Sequence, residues 1–444
     1  MKMFLYEQVR SLTKNIITRH FTRRGSSTVF LAMVFVTFAV CIAGAIWISR
    51  GLTVMSECQA FGRVWTRAVL SEYDRHLLSD YGLMAYWGND TEVSKKIDDY
   101  LEYSAAGKLS IKLGSTGSDL TGYELGEPGN FRKAMTKASA TSAVRSIFDN
   151  SERRPLERGP GRSIGNTVVL DTLPSGGIGG SVGGDALAER AKELRDEEGV
   201  RNAAVSSGIE TAFIWKYFSS YVTVPDDKPH FFNNEMEYVI RGSTDDDTNY
   251  EACRKRLLLM RNALDLVSLY RDQAKVELIV SVAELITPGP LGAATQLLLA
   301  EAWAALEAEA DLDTLYENGR EPVLKTPEQW HTDLSAVLDS KRVRKGLDEE
   351  SRKLLDEKRD EIDSLSSGEN AAEVFTEGLS YDDHLLIMIM CLSSSKRLLR
   401  IMDIVQIDMK YRYYRDFNLM EYYTGVRFAI TANGRDYVFE DAYR

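Results

Sequence analysis

The sequence predicts a mainly α protein with minor β (α+β), carried behind a single membrane-spanning helix. Three observations predict it. Residues 28–48 (TVFLAMVFVTFAVCIAGAIWI) contain no charge, and a helix of that length spans about 30 Å, the thickness of a bilayer core. Beyond them, apolar residues recur every three or four positions through most of the chain, the period of an α-helix with one buried face. Near the end, Asn433-Gly434 sits between alternating apolar residues, the strongest short-range signal for a β-hairpin.

Residues 1–25 form a basic arm with Lys2, Arg10, Lys14, Arg19, Arg23 and Arg24 against Glu7. Basic residues are retained on the cytoplasmic side. The expected topology is therefore a single pass through the cytoplasmic membrane, N-terminus inside and everything after Arg50 outside. The membrane helix is assigned to 26–49. Its apolar run continues through Trp47 and Ile48, past the Ala43-x-Ala45 exit that a cleaved signal would use. Cys41 follows Val40, where a lipoprotein needs a small residue.

Residues 50–88 read as an amphipathic stalk. Val54, Cys58, Phe61, Trp65, Val69, Tyr73 and Leu77 share one face, and Gly82 marks the break. Residues 89–149 read as a small α+β segment: a helix over 90–104, a strand over 109–113 followed by a turn-rich GSTGSD, and a helix over 130–148. Residues 150–185 read as a flexible linker, since they begin SERRPLERGPGR and end LPSGGIGGSVGGD. Their glycine doublets are not a phosphate cradle, because Asp185-Ala186 stands where a P-loop needs Lys-Ser/Thr.

Residues 186–444 are expected to be a mainly helical extracytoplasmic domain with a C-terminal hairpin. Helices are read over 186–205, 209–224, 250–271, 276–286 and 291–310. The last two form a buried hairpin rather than further spans, because Glu277, Glu284, Glu301 and Glu307 are expensive in lipid. The turn with Asp245, Asp247 and Asn249 has a calcium-loop flavour, but Arg256 takes the twelfth position, so helix capping is preferred. Residues 341–369 are dense in charge and read as solvated. A helix runs over 385–411 behind a Ser380 or Asp382 cap, and strands over 426–431 and 437–439 close the chain.

The charge is −12 overall. The arm contributes +5, which leaves −17 outside and argues against nucleic acid as a partner. The four cysteines are too few for a disulfide scaffold, although Cys253 and Cys391 could either pair or remain thiols. No His/Cys spacing fits a metal, no cofactor motif is present, and no nucleophile motif is found. The most site-like stretch is 233–238, where Glu235 and Glu237 sit beside aromatics. The plain reading is that they cap or flank a strand and pair with arginines.

Four pieces form an ordered set: GSSTVFLAM at 25–33, YDRHLLSDYGLMAY at 73–86, NNEMEYVIRG at 233–242 and GLSYDDHLLIMIM at 378–390. With them the chain resembles an uncharacterised Gram-positive family of tight-adherence pilus loci, and its leader and anchor resemble those of TadE/TadG-like pseudopilins. The resemblance implies a non-enzymatic structural or accessory subunit of a pilus or secretion machine. Its anchor and stalk would pack on other subunits, with Ala39, Ala43 and Gly44 allowing close approach. It also marks Gly25 and Ser26 as the candidate leader-cleavage site. Such leaders carry Glu at the fifth mature position, where this chain has Phe30, so a retained arm is expected. The alternative is an anchored ectoenzyme or envelope sensor with its site near Glu235 and Glu237.

Overall fold

The computed structural model describes residues 2–106, 111–140, 153–156, 173–176, 208–365 and 378–443. As the sequence predicts, the fold is mainly α with minor β. Helix α1 (Lys2–Leu70) runs unbroken through the arm, the apolar segment and most of the stalk. It alone among the described residues is long and apolar enough to cross a membrane. Gly25 and Ser26 lie within it. From Val29 to Leu52 its large apolar side chains are exposed, whereas Val54, Cys58, Trp65, Val69 and Leu70 are buried by the chain's own domain.

The stalk ends earlier than its periodicity suggests. Asp74 accepts from the Leu77 backbone N–H and caps a new helix, α2 (Arg75–Tyr81), because a side-chain acceptor there satisfies an otherwise orphaned donor. Gly82 terminates α2 with φ 67°. Strand β1 (Tyr86–Trp87) and α3 (Asp90–Ala105) follow. The next strand, β2, is Leu113–Asp119, so the stretch read as turns is itself the strand. Its small Gly and Ser residues are held there by antiparallel pairing with β6. Helix α4 is Pro128–Ala140, with proline at its first position, where the missing N–H is harmless. The remainder of the expected 130–148 helix and the 186–205 helix lie outside the described residues.

Two short stretches tie the glycine- and proline-rich segment to the domain. Arg154–Pro155 forms β3, paired with β4 (Thr223–Val224). Leu173 is buried, and the Ser175 N–H donates to Asp403. The distal helices are α5 (208–217), α6 (Glu235–Arg241), α7 (Asp246–Arg271), α8 (Gln273–Ile286) and α9 (Gly292–Tyr316). Four short helices follow, α10 (Leu334–Asp339), α11 (Lys341–Gly346), α12 (Glu349–Glu357) and α13 (Arg359–Leu365). The charged 341–365 stretch is therefore a layer of short helices that bury Val343, Leu355 and Ile362 against α8 and α9. The expected 385–411 helix is two, α14 (Tyr381–Met390) and α15 (Ser394–Arg412). The break falls at residues 391–393, where Leu392 is buried in the core and Ser393 is the N-cap residue of α15.

Strands β5 (Tyr422–Tyr423), β6 (Gly425–Ala432) and β7 (Arg435–Ala442) complete the chain. Asn433 and Gly434 both have positive φ, 53° and 73°, as a two-residue hairpin turn with the right twist requires. The hairpin does not join the distal helices. β6 sits between β2 and β7, and this sheet packs on α1 and α3 through Trp65, Ile97, Phe428 and Ile430. At Gly62 a Cβ would lie 2.2 Å from the Phe439 ring, so glycine is what lets β7 approach α1. The largest core joins α5, α6, the start of α7, α14 and α15 with α2 and α4. A second core, with Trp303 and Trp330, lies among α8 to α13.

Candidate functional site

Glu235 and Glu237 stand in the first turn of α6, not beside a strand, and both are fully buried. Carboxylates are favoured at a helix N-terminus. Asp246 fixes this end of the helix by accepting from the backbone N–H groups of Asn233 at 2.9 Å and Asn234 at 3.2 Å. At the other end the Arg400 guanidinium donates to the carbonyls of Val239, Ile240 and Arg241 at 2.8, 2.7 and 3.0 Å. A seven-residue helix is thus clamped at both ends.

Among the described residues, neither glutamate pairs with an arginine in a salt bridge. Glu235 Oε2 accepts from the Ser219 N–H at 2.8 Å and lies 3.0 Å from His230 Nδ1. His230 also faces Asp226 at 3.3 Å and Asp408 at 3.7 Å. Arg412 donates to Asp408 at 2.7 Å and to Asp80 at 3.1 Å, and Lys228 reaches Asp80 at 2.8 Å. Burial acts to lower the His230 pKa. Glu235, Asp226 and Asp408 outweigh it and hold the imidazole charged, with a pKa raised to about 12. Burial, and then the Asp408 carboxylate, push Glu235 upward.

Glu237 accepts from the Tyr221 N–H at 3.0 Å and the Tyr381 hydroxyl at 2.8 Å. Burial dominates and raises it to about 8, so the neutral acid is the ground state near neutral pH. The nearby Arg153, which sequence reading leaves in a linker, is committed elsewhere. It pairs with Asp382 at 3.1 Å, donates to the Phe218 carbonyl at 2.8 Å and stacks over Trp215.

A second buried network joins α7, α9 and the loop after α9. Arg261 pairs with Asp311 at 2.6 Å and with Asp265 at 3.3 Å. Lys325 Nζ bonds Glu307 and Asp311, and His331 Nε2 meets Glu321 at 2.8 Å. Glu307 also accepts from the N–H groups of His331 and Thr332. Burial, then the Asp311 carboxylate, raise the Asp265 pKa, and the hydrogen bond that His331 donates to Glu321 raises that of His331.

His230, Glu235 and Asp408, and likewise Glu307, Asp311 and His331, place ligand-type atoms within 4.8 Å of one another. The cation positions are already taken. Arg412 and the His230 imidazolium stand on Asp408 in the first, and the Lys325 ammonium stands on Glu307 and Asp311 in the second. These residues fit internal ion clusters better than metal ligands. Asp245 caps α7 by accepting from the Thr248 N–H at 2.9 Å, and Asn249 ties back to Ser243, so the acidic turn works as a cap. All four cysteines are free, with Cys253 buried and Cys391 exposed.

Two large grooves lie away from both glutamates. One, of about 610 Å³, runs between α2, α4, α5 and the end of β7 and carries Lys133, Lys137 and Lys216. The other, of about 660 Å³, lies at the foot of the domain where α1 emerges. Ala39 and Ala43 are exposed on α1, and Gly44 has open space around it. Sequence reading missed His230, Asp408 and Lys325. The available signal was opposite charges four residues apart on apolar helices, as in Arg261/Asp265 and Asp408/Arg412.

Residues 181–434, more than half of the chain, match a family of unknown function, DUF5702. The chain belongs to that family. No curated protein matches it, and no solved structure does.

Proposed function

We propose that the chain is a membrane-anchored extracytoplasmic structural or accessory subunit, pseudopilin-like, of a tight-adherence type pilus or secretion machine. The observation that carries this reading is the division of α1. Its upper part is covered by the chain's own domain, while the apolar surface from Val29 to Leu52 is left bare. A bare apolar helix needs lipid or other helices around it, and Ala39, Ala43 and Gly44 provide a small-residue face for helix contact. The leader and the four quoted pieces supply the pilus side of the reading. The buried glutamates support a structural role first, since one oxygen of each ties the 219–221 loop to α6 by accepting a backbone N–H. Their raised pKa values are what the ectoenzyme or sensor reading would build on.

Cys41, exposed on the bare part of α1, gives a direct test. In membranes from cells carrying the pilus locus and Cys391→Ser protein, oxidation should yield Cys41-dependent adducts with pilus subunits or with a second copy. Ala43→Ile should weaken them. A free monomer under these conditions, absent from the sheared fibre and machinery fractions, would sink the proposal.

A further inference from the structure

We propose that the groove at the foot of the domain, between the emerging end of α1 and the tip of the β6–β7 hairpin, binds the phosphate headgroup of a membrane phospholipid. The inference rests on α1 being the membrane anchor and goes beyond it, because it assigns a contact to the folded domain itself.

Position comes first. The charge-free run ends at Ser49, and Arg50 is the first charge after it. At 1.5 Å per residue, the groove-lining segment from Trp47 to Met55 covers about 12 Å, spanning the apolar edge and the headgroup layer above it. The groove is therefore held at the depth of lipid phosphates by the helix that forms its wall.

Charge comes second. The chain is acidic, with a net charge of −12, yet the charged residues lining this groove are all basic: Arg50 from α1, Lys112 from before β2 and Arg435 from the start of β7. All three are exposed, and among the described residues none forms a salt bridge. Trp47, 70% exposed, and Tyr437 complete the wall. An aromatic with one apolar and one polar edge favours the interfacial layer.

Rigidity comes third. The Lys112 N–H donates to Asn433 Oδ1 and the Asn433 N–H to the Lys112 carbonyl, both at 2.8 Å. Ala432 packs with Val54, Cys58 and Ile111. Lys112 and Arg435 are thus fixed beside α1 before any ligand arrives, which reduces the ordering required on binding. A phosphodiester would lie between them, with its acyl chains running down the exposed face of α1. Basic residues at this depth favour anionic lipid.

The test uses the full chain reconstituted with phosphatidylcholine alone or mixed with phosphatidylglycerol. Flotation after an alkaline wash reports the anchor, and native mass spectrometry of the extracted protein counts retained lipid. Wild type should float with both lipids and retain phosphatidylglycerol preferentially. Lys112→Ala/Arg435→Ala should float equally well but retain about tenfold less or lower, whereas Lys112→Arg/Arg435→Lys should keep the preference. Equal retention by the alanine variant, or no preference in wild type, overturns the site while leaving the anchor standing. Wild type that does not float overturns the anchor, and the site with it.

Discussion

Lys325 shows what a buried charge does in this protein. Its ammonium is enclosed by Glu307 and Asp311, with Glu321 at 3.8 Å. Lys325→Ala would leave those acids facing only Arg261 and His331. Removing one partner from a buried ion cluster costs about 3–5 kcal/mol, because the remaining charge stays desolvated. Urea unfolding of the variant should show a loss of that order, and a change below about 1 kcal/mol would mean that solvent reaches the network. Part of this was legible. Arg261 and Asp265, like Asp408 and Arg412, are four apart on largely apolar helices, which marks them as paired rather than solvated. What brings Arg261 to Asp311 and Lys325 is the packing of α7 on α9, and spacing along one helix does not encode it. The same applies to Glu235, whose partners His230 and Asp408 come from a loop and from α15.

Elements were legible where a local signal decides them. The Asn433-Gly434 hairpin, the α8–α9 pair and the Asp245 cap each depend on a few adjacent residues. Elements were illegible where a distant partner decides. β2 is a strand because β6, more than 300 residues away in the chain, lies alongside it. The run from Leu385 breaks at residues 391–393, where Leu392 is buried in the main core. Gly378 is a position of the second kind. It has φ +135°, and a Cβ there would lie 2.5 Å from the Glu321 backbone, beside the two Glu321–Leu379 backbone hydrogen bonds. Gly378→Ala therefore meets both backbone strain and a backbone clash, and should destabilise by more than about 1 kcal/mol. Gly129→Ala, in α4 with open space around it, should instead be neutral or stabilising by up to about 1 kcal/mol. Thermal unfolding of the two variants side by side separates the effects; equal shifts would show that the Gly378 geometry is not required.

At the scale of the whole molecule, the C-terminal strands close on the upper part of α1, and the interior of the domain holds protons that an unfolded chain would release. Glu237, raised to about 8 by burial, and Asp403, raised to about 6 by burial, are both neutral in the fold at slightly acid pH. Their contribution is full below the ordinary carboxyl range and is lost as pH rises through those values. His230, raised to about 12 once its carboxylates outweigh burial, contributes fully below about pH 6.5 and declines across the alkaline range. Two groups work the other way. Burial lowers His384 to about 4, so its contribution is lost as pH falls from about 6.5 toward 4. Asp226 is held at about 2, its hydrogen bond to His230 overcoming the opposing effect of burial. Its contribution is lost below about pH 4. The stability maximum should therefore lie on the mildly acid side of neutrality, and the melting temperature should fall between about pH 6 and about pH 9. Glu237→Gln keeps the shape of the neutral acid and removes its titration. The variant's melting temperature should fall less steeply over the same interval. A parallel fall in variant and wild type would show that Glu237 is already ionised in the folded protein, and the core around α6 would then have to admit water or a cation beside its buried carboxylate.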